Sequence, residues 1–474
     1  MKKTFYHPNA TVHHHNPTYN RQPPPFRRHF PKPVDFHPNH YRPPGPPNPT
    51  AFQAPNFVLY LRRGRRNLRR DFISSLISQC PSKPQSFSIF PYSSKADSAI
   101  LNFRQWVDTL NAVAYLWETR LDGTHDLTPE LKSNVMVPSD EDELYSRLRA
   151  VFARHVKGLM QEAKELKRWE GEIERLTKEI ARVEPVKDKH YRVGDFFQMN
   201  ENTKRLAEEK NLVERRLREF RCAMECLLKV LEEKVGAAEE RNEGVNGNYD
   251  YDFDAVFRFG GRLNWKRVHS IIMRERRRLE EGLPIYAYRR DILHDIHHQQ
   301  ITVLVGETGS GKSTQLVQFL ADSGVGAAES IICTQPRKIA ARSLAQRVEE
   351  ESSGCYEGNA INSYLTFSSL TEFDSKVTFM TDHCLLQHYM NDKNLSGVSC
   401  IIVDEAHERS LNTDLLLALI KNLLSRRVDM RLIIMSATAD AKQLSEYFYG
   451  CRIVHVVGRS FPVDVRYVPS DQGS

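Results

Sequence analysis

The chain has 474 residues, enough for two or three domains, with 67 Lys and Arg against 60 Asp and Glu, a formal net charge of +7 and a hydrophobic share of 40%. That share is low for one compact globule, so part of the length is expected to stay unfolded. No apolar run reaches the roughly eighteen residues that span a bilayer, and the N-terminus lacks an apolar signal core, so neither a membrane span nor secretion is expected.

Eight cysteines with no C-x-x-C pair predict buried thiols in a reducing, intracellular compartment, nucleus or cytoplasm. Cys222 and Cys226 share a helix face without further zinc ligands, which fits core packing. The N-terminus is basic and almost free of acid, which keeps a chloroplast destination as the alternative, although it is Pro- and His-rich rather than Ser-rich.

Residues 1–71 read as a disordered basic arm. More than half of the 24 prolines fall before residue 57, including Pro23-Pro-Pro25 and Pro43-Pro-Gly-Pro-Pro47, with few aliphatic residues to offset the ordering entropy. His13-His-His15 reads as polar filler rather than a metal site. Phe57-Val-Leu-Tyr-Leu61 runs into Arg62-Arg-Gly-Arg-Arg-Asn-Leu-Arg-Arg70, an arginine cluster suited to RNA phosphates without sequence preference. A nuclear-import signal or a solvated charged face would carry the same residues.

Residues 72–142 form a small region expected to be α-rich, with helical periodicity from Ala99 to Leu110 and no assignable chemistry. From 143 to 240 the chain is strongly helical. Phe152, Leu159, Leu166, Ile173 and Ile180 recur every seventh residue, Pro185 ends the run, and Leu206, Val213, Phe220 and Leu227 repeat the spacing. Such heptads predict a coiled-coil-like hairpin within the chain, with self-association as the competing use. Residues 241–284 read as an acidic linker followed by a basic amphipathic helix, Trp265 to Glu281.

Between 285 and 470, apolar strands expected near 301–305, 331–334, 362–367, 376–380, 399–404, 431–435 and 452–457 alternate with helical patterns, which predicts a parallel α/β sheet. Ile301-Thr-Val-Leu-Val305 leads into Gly306-Glu-Thr-Gly-Ser-Gly-Lys-Ser313, a G-x-x-x-x-G-K-[ST] loop in its strand-loop-helix context. Its glycines let the backbone cradle phosphate, Lys312 adds a charge against the β- and γ-phosphates, and Ser313 offers a hydroxyl to Mg²⁺. A second strand ends in Asp404-Glu405, where one carboxylate can hold Mg²⁺ and the other polarise water; a third ends in Ser436-Ala-Thr438. A nucleoside triphosphate with Mg²⁺ is therefore the expected ligand.

Asp404-Glu405-Ala406-His407 with Ser436-Ala437-Thr438 resembles a DEAH-box RNA helicase of superfamily 2, as do Thr334-Gln-Pro-Arg337, Ala345-Gln-Arg-Val348, Thr381-Asp382 and Gly458-Arg459 with Phe461-Pro462-Val463. Thr381-Asp-His-Cys-Leu-Leu386 is similar to a plant subgroup that carries ring-type zinc modules near the C-terminus. The resemblance implies a RecA-like P-loop lobe and an ATP-dependent RNA helicase. It implies that Gly306, Glu307, Thr308, Gly309, Ser310, Gly311, Lys312, Ser313 and Thr314 hold the nucleotide and that Arg347 stacks on its base. Ser313, Asp404 and Glu405 would serve Mg²⁺, Glu405 would orient water, and His407, Ser436 and Thr438 would couple hydrolysis to movement. Pro336, Arg337, Thr381 and Asp382 would meet the RNA backbone.

Two positions depart from the family pattern: His383 stands where Gly is usual and Thr366 where Arg is usual. No Q-x-x-G-R-x-G-R motif of a second lobe occurs before Ser474, so the stretch reads as the N-terminal part of a longer helicase or a short isoform. Without arginine fingers hydrolysis is expected to slow by on the order of 10³. The alternatives are a non-catalytic adaptor that binds RNA and nucleotide, and a DNA helicase or other P-loop ATPase.

Overall fold

The computed structural model describes residues 57–63, 68–90, 97–132, 136, 138–184, 192–232, 258–259, 262–325, 329–365, 373–437 and 441–458. The proline-rich part of the arm, most of the acidic linker, Thr366, Thr438, Arg459 and Phe461-Pro462-Val463 lie outside them.

The first described strand, β1 (Phe57–Arg62), is followed by α1 (Arg70–Gln79), β2 (Ser86–Phe90), β3 (Ser98–Phe103), α2 (Trp106–Leu121) and β4 (Thr128–Lys132). The strands form an antiparallel sheet in the order β2-β3-β1-β4, a split β-α-β arrangement. Period-2 alternation sets its faces. Phe57, Leu59 and Leu61 of β1 sit opposite Phe103, Leu101 and Ala99 of β3 and are buried against Ile73, Leu76 and Trp117 of the two helices. Val58, Tyr60 and Arg62 point the other way, with Ser98, Ile100 and Asn102 beside them.

This region is therefore not merely α-rich, and its first strand lies within the stretch expected to be disordered arm. The misreading has a physical cause. Ala99-Ile-Leu-Asn-Phe103 is apolar at nearly every position and satisfies either period, and the partner that decides for strand, β1, is some forty residues away in the chain.

Helices α3 (Pro138–Glu162), α4 (Lys164–Val183) and α5 (Val193–Glu232) follow. The first heptad run is two helices rather than one, because Ala163 adopts φ −54°, ψ 128° and breaks it. Helix α4 lies along α5. Phe152, Leu159, Leu166, Val213, Phe220 and Leu227 join the sheet's inner face in a single core, so the heptad side chains are used within the chain. A short β5–β6 hairpin (Arg258–Phe259, Arg262–Leu263) leads into α6 (Trp265–Glu281). Asn264 caps that helix by accepting from the Arg267 N–H at 3.2 Å, and left-handed Gly282 (φ 59°) ends it.

Seven parallel strands build the second sheet: β7 (Ile301–Gly306), β8 (Ser330–Gln335), β9 (Ile361–Tyr364), β10 (Val377–Thr381), β11 (Val398–Val403), β12 (Arg431–Ser436) and β13 (Arg452–Val456). Their order is β13-β7-β12-β11-β8-β10-β9. The expected RecA-like sheet is present, with each strand where the sequence predicts it to within a few residues. Strands β8 and β10 are buried at every position, as a sheet covered on both faces requires. One face (Leu304, Cys333, Phe379, Ile402, Ile433) packs on α7 (Arg289–His298), α8 (Lys312–Asp322) and α9 (Lys338–Glu351). The other (Val303, Ile332, Met380, Ile401, Ile434) packs on α10 (Asp382–Asn391), α11 (Leu411–Leu424) and α12 (Ala441–Tyr447).

The two sheets meet through charge as well as apolar contact. Arg274 and Arg278 of the basic helix α6 are buried, not solvated. Arg274 donates to Asp322, the last residue of α8, at 2.8 Å, and Arg289 reaches the same carboxylate at 3.4 Å. Arg278 pairs with Glu275, and the Tyr356 hydroxyl donates to Asp322 at 2.8 Å. Burial works against the Glu275 carboxylate, but Arg278, Arg289 and Arg274 together outweigh it and hold its pKa down to about 2.

Candidate active site

A sheet covered on both faces leaves only its strand ends to carry chemistry. Gly306, Gln335, Thr381, Asp404 and Ser436 stand at or directly beyond the C-terminal ends of β7, β8, β10, β11 and β12. The loop after β7 turns back through Gly309 (φ 83°) and Gly311 (φ 92°), left-handed positions that a side chain would strain. A Cβ on Gly306 would stand 3.1 Å from Val456 Cβ and 3.2 Å from Lys312 Cδ, so the backbone here is closely approached on two sides.

Lys312 opens α8 and is nearly buried, donating to the Gly306 carbonyl and to the Glu307 carbonyl at 3.0 Å. Burial lowers its pKa, while Asp404, Glu405 and Glu307 oppose that shift. Ser310 Oγ is buried with no hydrogen-bond partner among the described residues, and Ser313 and Thr314 are part-exposed at the helix start. An inward ammonium, left-handed glycines and an unused buried hydroxyl fit a phosphate cradle.

Across from the loop, Asp404 is buried. It accepts from Gln335 Nε2 at 2.6 Å and from the Glu405 N–H at 2.8 Å. Glu405 is left-handed (φ 53°), as is Arg409 (φ 49°), and the two bracket the tight turn Ala406–Glu408. Such non-glycine conformations cost on the order of 1–3 kcal/mol each and tend to persist where a side chain must be aimed. Burial and the neighbouring Asp404 raise the Glu405 pKa against the pull of His407 and Lys312. His407 Nδ1 lies 3.3 Å from Glu405 Oε2 and 3.4 Å from the Ala437 N–H. The Ala437 N–H donates to that ring nitrogen, so His407 joins the turn after β11 to the end of β12. Ser436 is buried at that end; its expected companion Thr438 falls outside the described residues.

No group of three or more His, Cys, Asp or Glu suited to a metal occurs among the described residues. A divalent ion here would rest on Asp404 and Ser313 together with ligand phosphates, the arrangement usual for Mg²⁺.

Arg347 is half-exposed on α9. It bonds Glu351 at 2.6 Å and approaches Glu281 at 3.7 Å, and Glu351 also accepts from Gln315 and Gln318 of α8. The residues expected to face RNA divide. Arg337 is exposed, with a loose 3.2 Å contact to Glu408. Thr381 instead caps α10 by accepting from the Cys384 N–H, and Asp382 is buried, accepting from Thr413 at 2.6 Å. Burial raises the Asp382 pKa against the bond from Thr413. The structure thus gives Thr381 and Asp382 internal duties.

Sequence reasoning missed three supports. Gln335 orients Asp404; its place at a strand end beside Pro336 was the available signal. The Ile285 N–H donates to the Ser310 carbonyl at 3.1 Å, and Ile285 and Leu283 stand against Gly311. Asp322 anchors the far end of the loop's helix to α6.

The DEAD/DEAH box helicase family profile matches residues 286–447. The chain is 50% identical over 450 residues to the Arabidopsis thaliana protein named ATP-dependent RNA helicase DEAH12, chloroplastic, which covers 92% of this chain and 25% of that protein. A second Arabidopsis thaliana protein, ATP-dependent RNA helicase DEAH11, chloroplastic, is 50% identical over 454 residues, 92% of this chain and 24% of its own length. The Schizosaccharomyces pombe pre-mRNA-splicing factor ATP-dependent RNA helicase prp22 is 44% identical over 206 residues, 43% of this chain and 17% of that protein. The chain therefore spans about a quarter of the length of its two Arabidopsis relatives.

Proposed function

Because residues 286–447 form a DEAD/DEAH box helicase domain, we propose that the chain supplies the ATP-binding lobe of an ATP-dependent RNA helicase. Lys312 pairs with the β- and γ-phosphates, and Gly306 to Thr314 wrap them. Mg²⁺, when bound by Ser313 and Asp404, offsets phosphate charge. Glu405 orients the attacking water as its general base, and Arg347 lies over the base with its guanidinium plane, which tolerates different nucleobases. His407 carries the state of Glu405 to the Ser436–Thr438 segment. Pro336 and Arg337 hold the RNA backbone, and Thr381 and Asp382 brace the loop beside it.

The observation that carries this reading is the buried Lys312 ammonium, folded over the loop after β7 and within the influence of Asp404 and Glu405 two strands away at the same edge of the sheet. The test is uptake of a fluorescent ATP analogue by the purified chain. Lys312→Ala should abolish it, and equal uptake by that variant would end the proposal. A non-catalytic adaptor would take up nucleotide without RNA-stimulated turnover, even when joined to a second lobe. The relatives' names favour the chloroplast over the nucleus or cytoplasm, which imaging of a fluorescent fusion would decide.

A further inference from the structure

The open face of the antiparallel sheet takes no part in the site above. On it, two cross-strand rows run over the sheet: Ser88–Ile100–Tyr60–Glu130, and next to it Phe90–Ser98–Arg62–Thr128. Phe90 is 55% exposed, an unusual state for a phenylalanine on a strand. Lys132 lies over the Tyr60 ring at 5.6 Å. The face is one wall of an open groove of about 780 Å³ that also includes Lys266 and Ser270 of α6 and Ser353-Gly354 beyond α9. On the opposite wall Gly354 packs closely on Ser270, since a Cβ there would fall 2.5 Å from Ser270 Oγ.

Three observations name the occupant. The face carries two rings, Tyr60 half-buried and Phe90 exposed, among small polar side chains with one aliphatic, Ile100, between them, which suits planar bases better than a helix of another protein. Tyr60 and Phe90 stand two strands apart and one row along, about 12 Å at the usual strand spacing and rise, so both can stack on bases of one extended strand. The cations are placed for phosphate: Arg62 is exposed, its 3.6 Å contact to Glu130 is too long for a hydrogen bond, and the arginine cluster 62–70 leaves β1 at this point. Four-stranded sheets with outward aromatics on their strands bind single-stranded RNA in this way. That likeness is analogy, and these side chains carry the weight.

We propose that this face is a second binding site, for single-stranded RNA, where Tyr60 and Phe90 stack on bases and Arg62 and Lys266 meet phosphates. It lies outside the helicase lobe's RNA path and uses none of its residues.

The test is fluorescence anisotropy of a fluorescein-labelled, mixed-sequence RNA 12-mer with the full chain and no nucleotide. The double variant Tyr60→Ala/Phe90→Ala should bind about tenfold or more weakly, with an unchanged melting curve by circular dichroism. Tyr60→Phe should bind like the parent. Should the double variant perturb folding, photocrosslinking of 4-thiouridine RNA to the parent chain decides, with adducts expected in peptides containing residues 57–62 or 86–90. Parent-like affinity of the double variant overturns the proposal and is the result expected of a face that docks protein. Adducts confined to residues 336–337 also overturn it while leaving the helicase reading intact. No RNA binding at all overturns it too, whereas ATP uptake lost in Lys312→Ala would still stand for the lobe.

Discussion

The parallel sheet of residues 301–456 has helices on both faces, and its strands β8 and β10 show no exposed position. The antiparallel sheet of residues 57–132 has helices on one face only, and on β1 buried and less buried residues alternate. The first can place reactive groups nowhere but at its strand ends. The second offers a broad surface, with an open groove along it. One chain thus holds two kinds of scaffold, and the difference assigns chemistry to one and surface recognition to the other.

The sharpest way to break that division is Glu405→Gln in a protein extended through a second lobe. Nucleotide should still bind, and phosphate release should fall about 10²- to 10⁴-fold, the usual worth of a general base. Tyr60→Ala should leave nucleotide-saturated turnover unchanged, and a matching loss there would show that the sheets do not divide the labour.

Next in size is the charged seam between the two regions. Asp322→Leu strands Arg274 and leaves Arg289 and Tyr356 short of an acceptor, so denaturant unfolding should show a loss of about 3–5 kcal/mol. If only one of two separate transitions shifts, the regions unfold independently.

A smaller effect tests the antiparallel region alone. His125 accepts the Leu127 N–H on Nδ1 at 3.2 Å and meets Thr119 through Nε2 at 3.0 Å, so burial keeps it neutral and brings its pKa down to about 4. Its folded value is below the unfolded one of about 6.5, so the stability tied to neutrality is full above pH 6.5 and declines as pH falls toward 4. His269, depressed to about 3, acts with the same sign. The melting temperature should drop between pH 7 and pH 5, and His125→Asn should reduce that slope; an unchanged slope would exonerate the histidine. The smallest effect is expected of Gly282→Ala. The residue is left-handed, and the added methyl would meet Trp169 at 2.8 Å, so about 1–2 kcal/mol should be lost in a chemical melt.

Legibility followed the same division. In the parallel sheet most strands are short, largely apolar runs (β9, Ile361-Asn-Ser-Tyr364, is the exception), and most of the expected site residues follow directly on one, so local sequence carried the fold and the candidate site. Supports from elsewhere stayed hidden: Ile285, Asp322 and Gln335 matter through partners that adjacency does not reveal. Thr381 and Asp382 were legible as a motif but not as a cap and a brace, because burial decides that. In the antiparallel region Ala99–Phe103 fits two periods, and the heptads could not say whether their partner was another copy or the same chain. The shared core with Leu59 and Leu101 gives Phe152, Leu166, Val213 and Phe220 partners within the chain.

The hydrogen bond from Ile285 to Ser310 carries a practical lesson for anyone cutting the gene. A fragment started at β7 would keep every signature residue yet lose the ledge under the Gly306–Ser313 loop. A transplantable cassette has to begin upstream of Leu283, and the Gly282-Trp169 contact means that its natural foundation is the helical pair that precedes it.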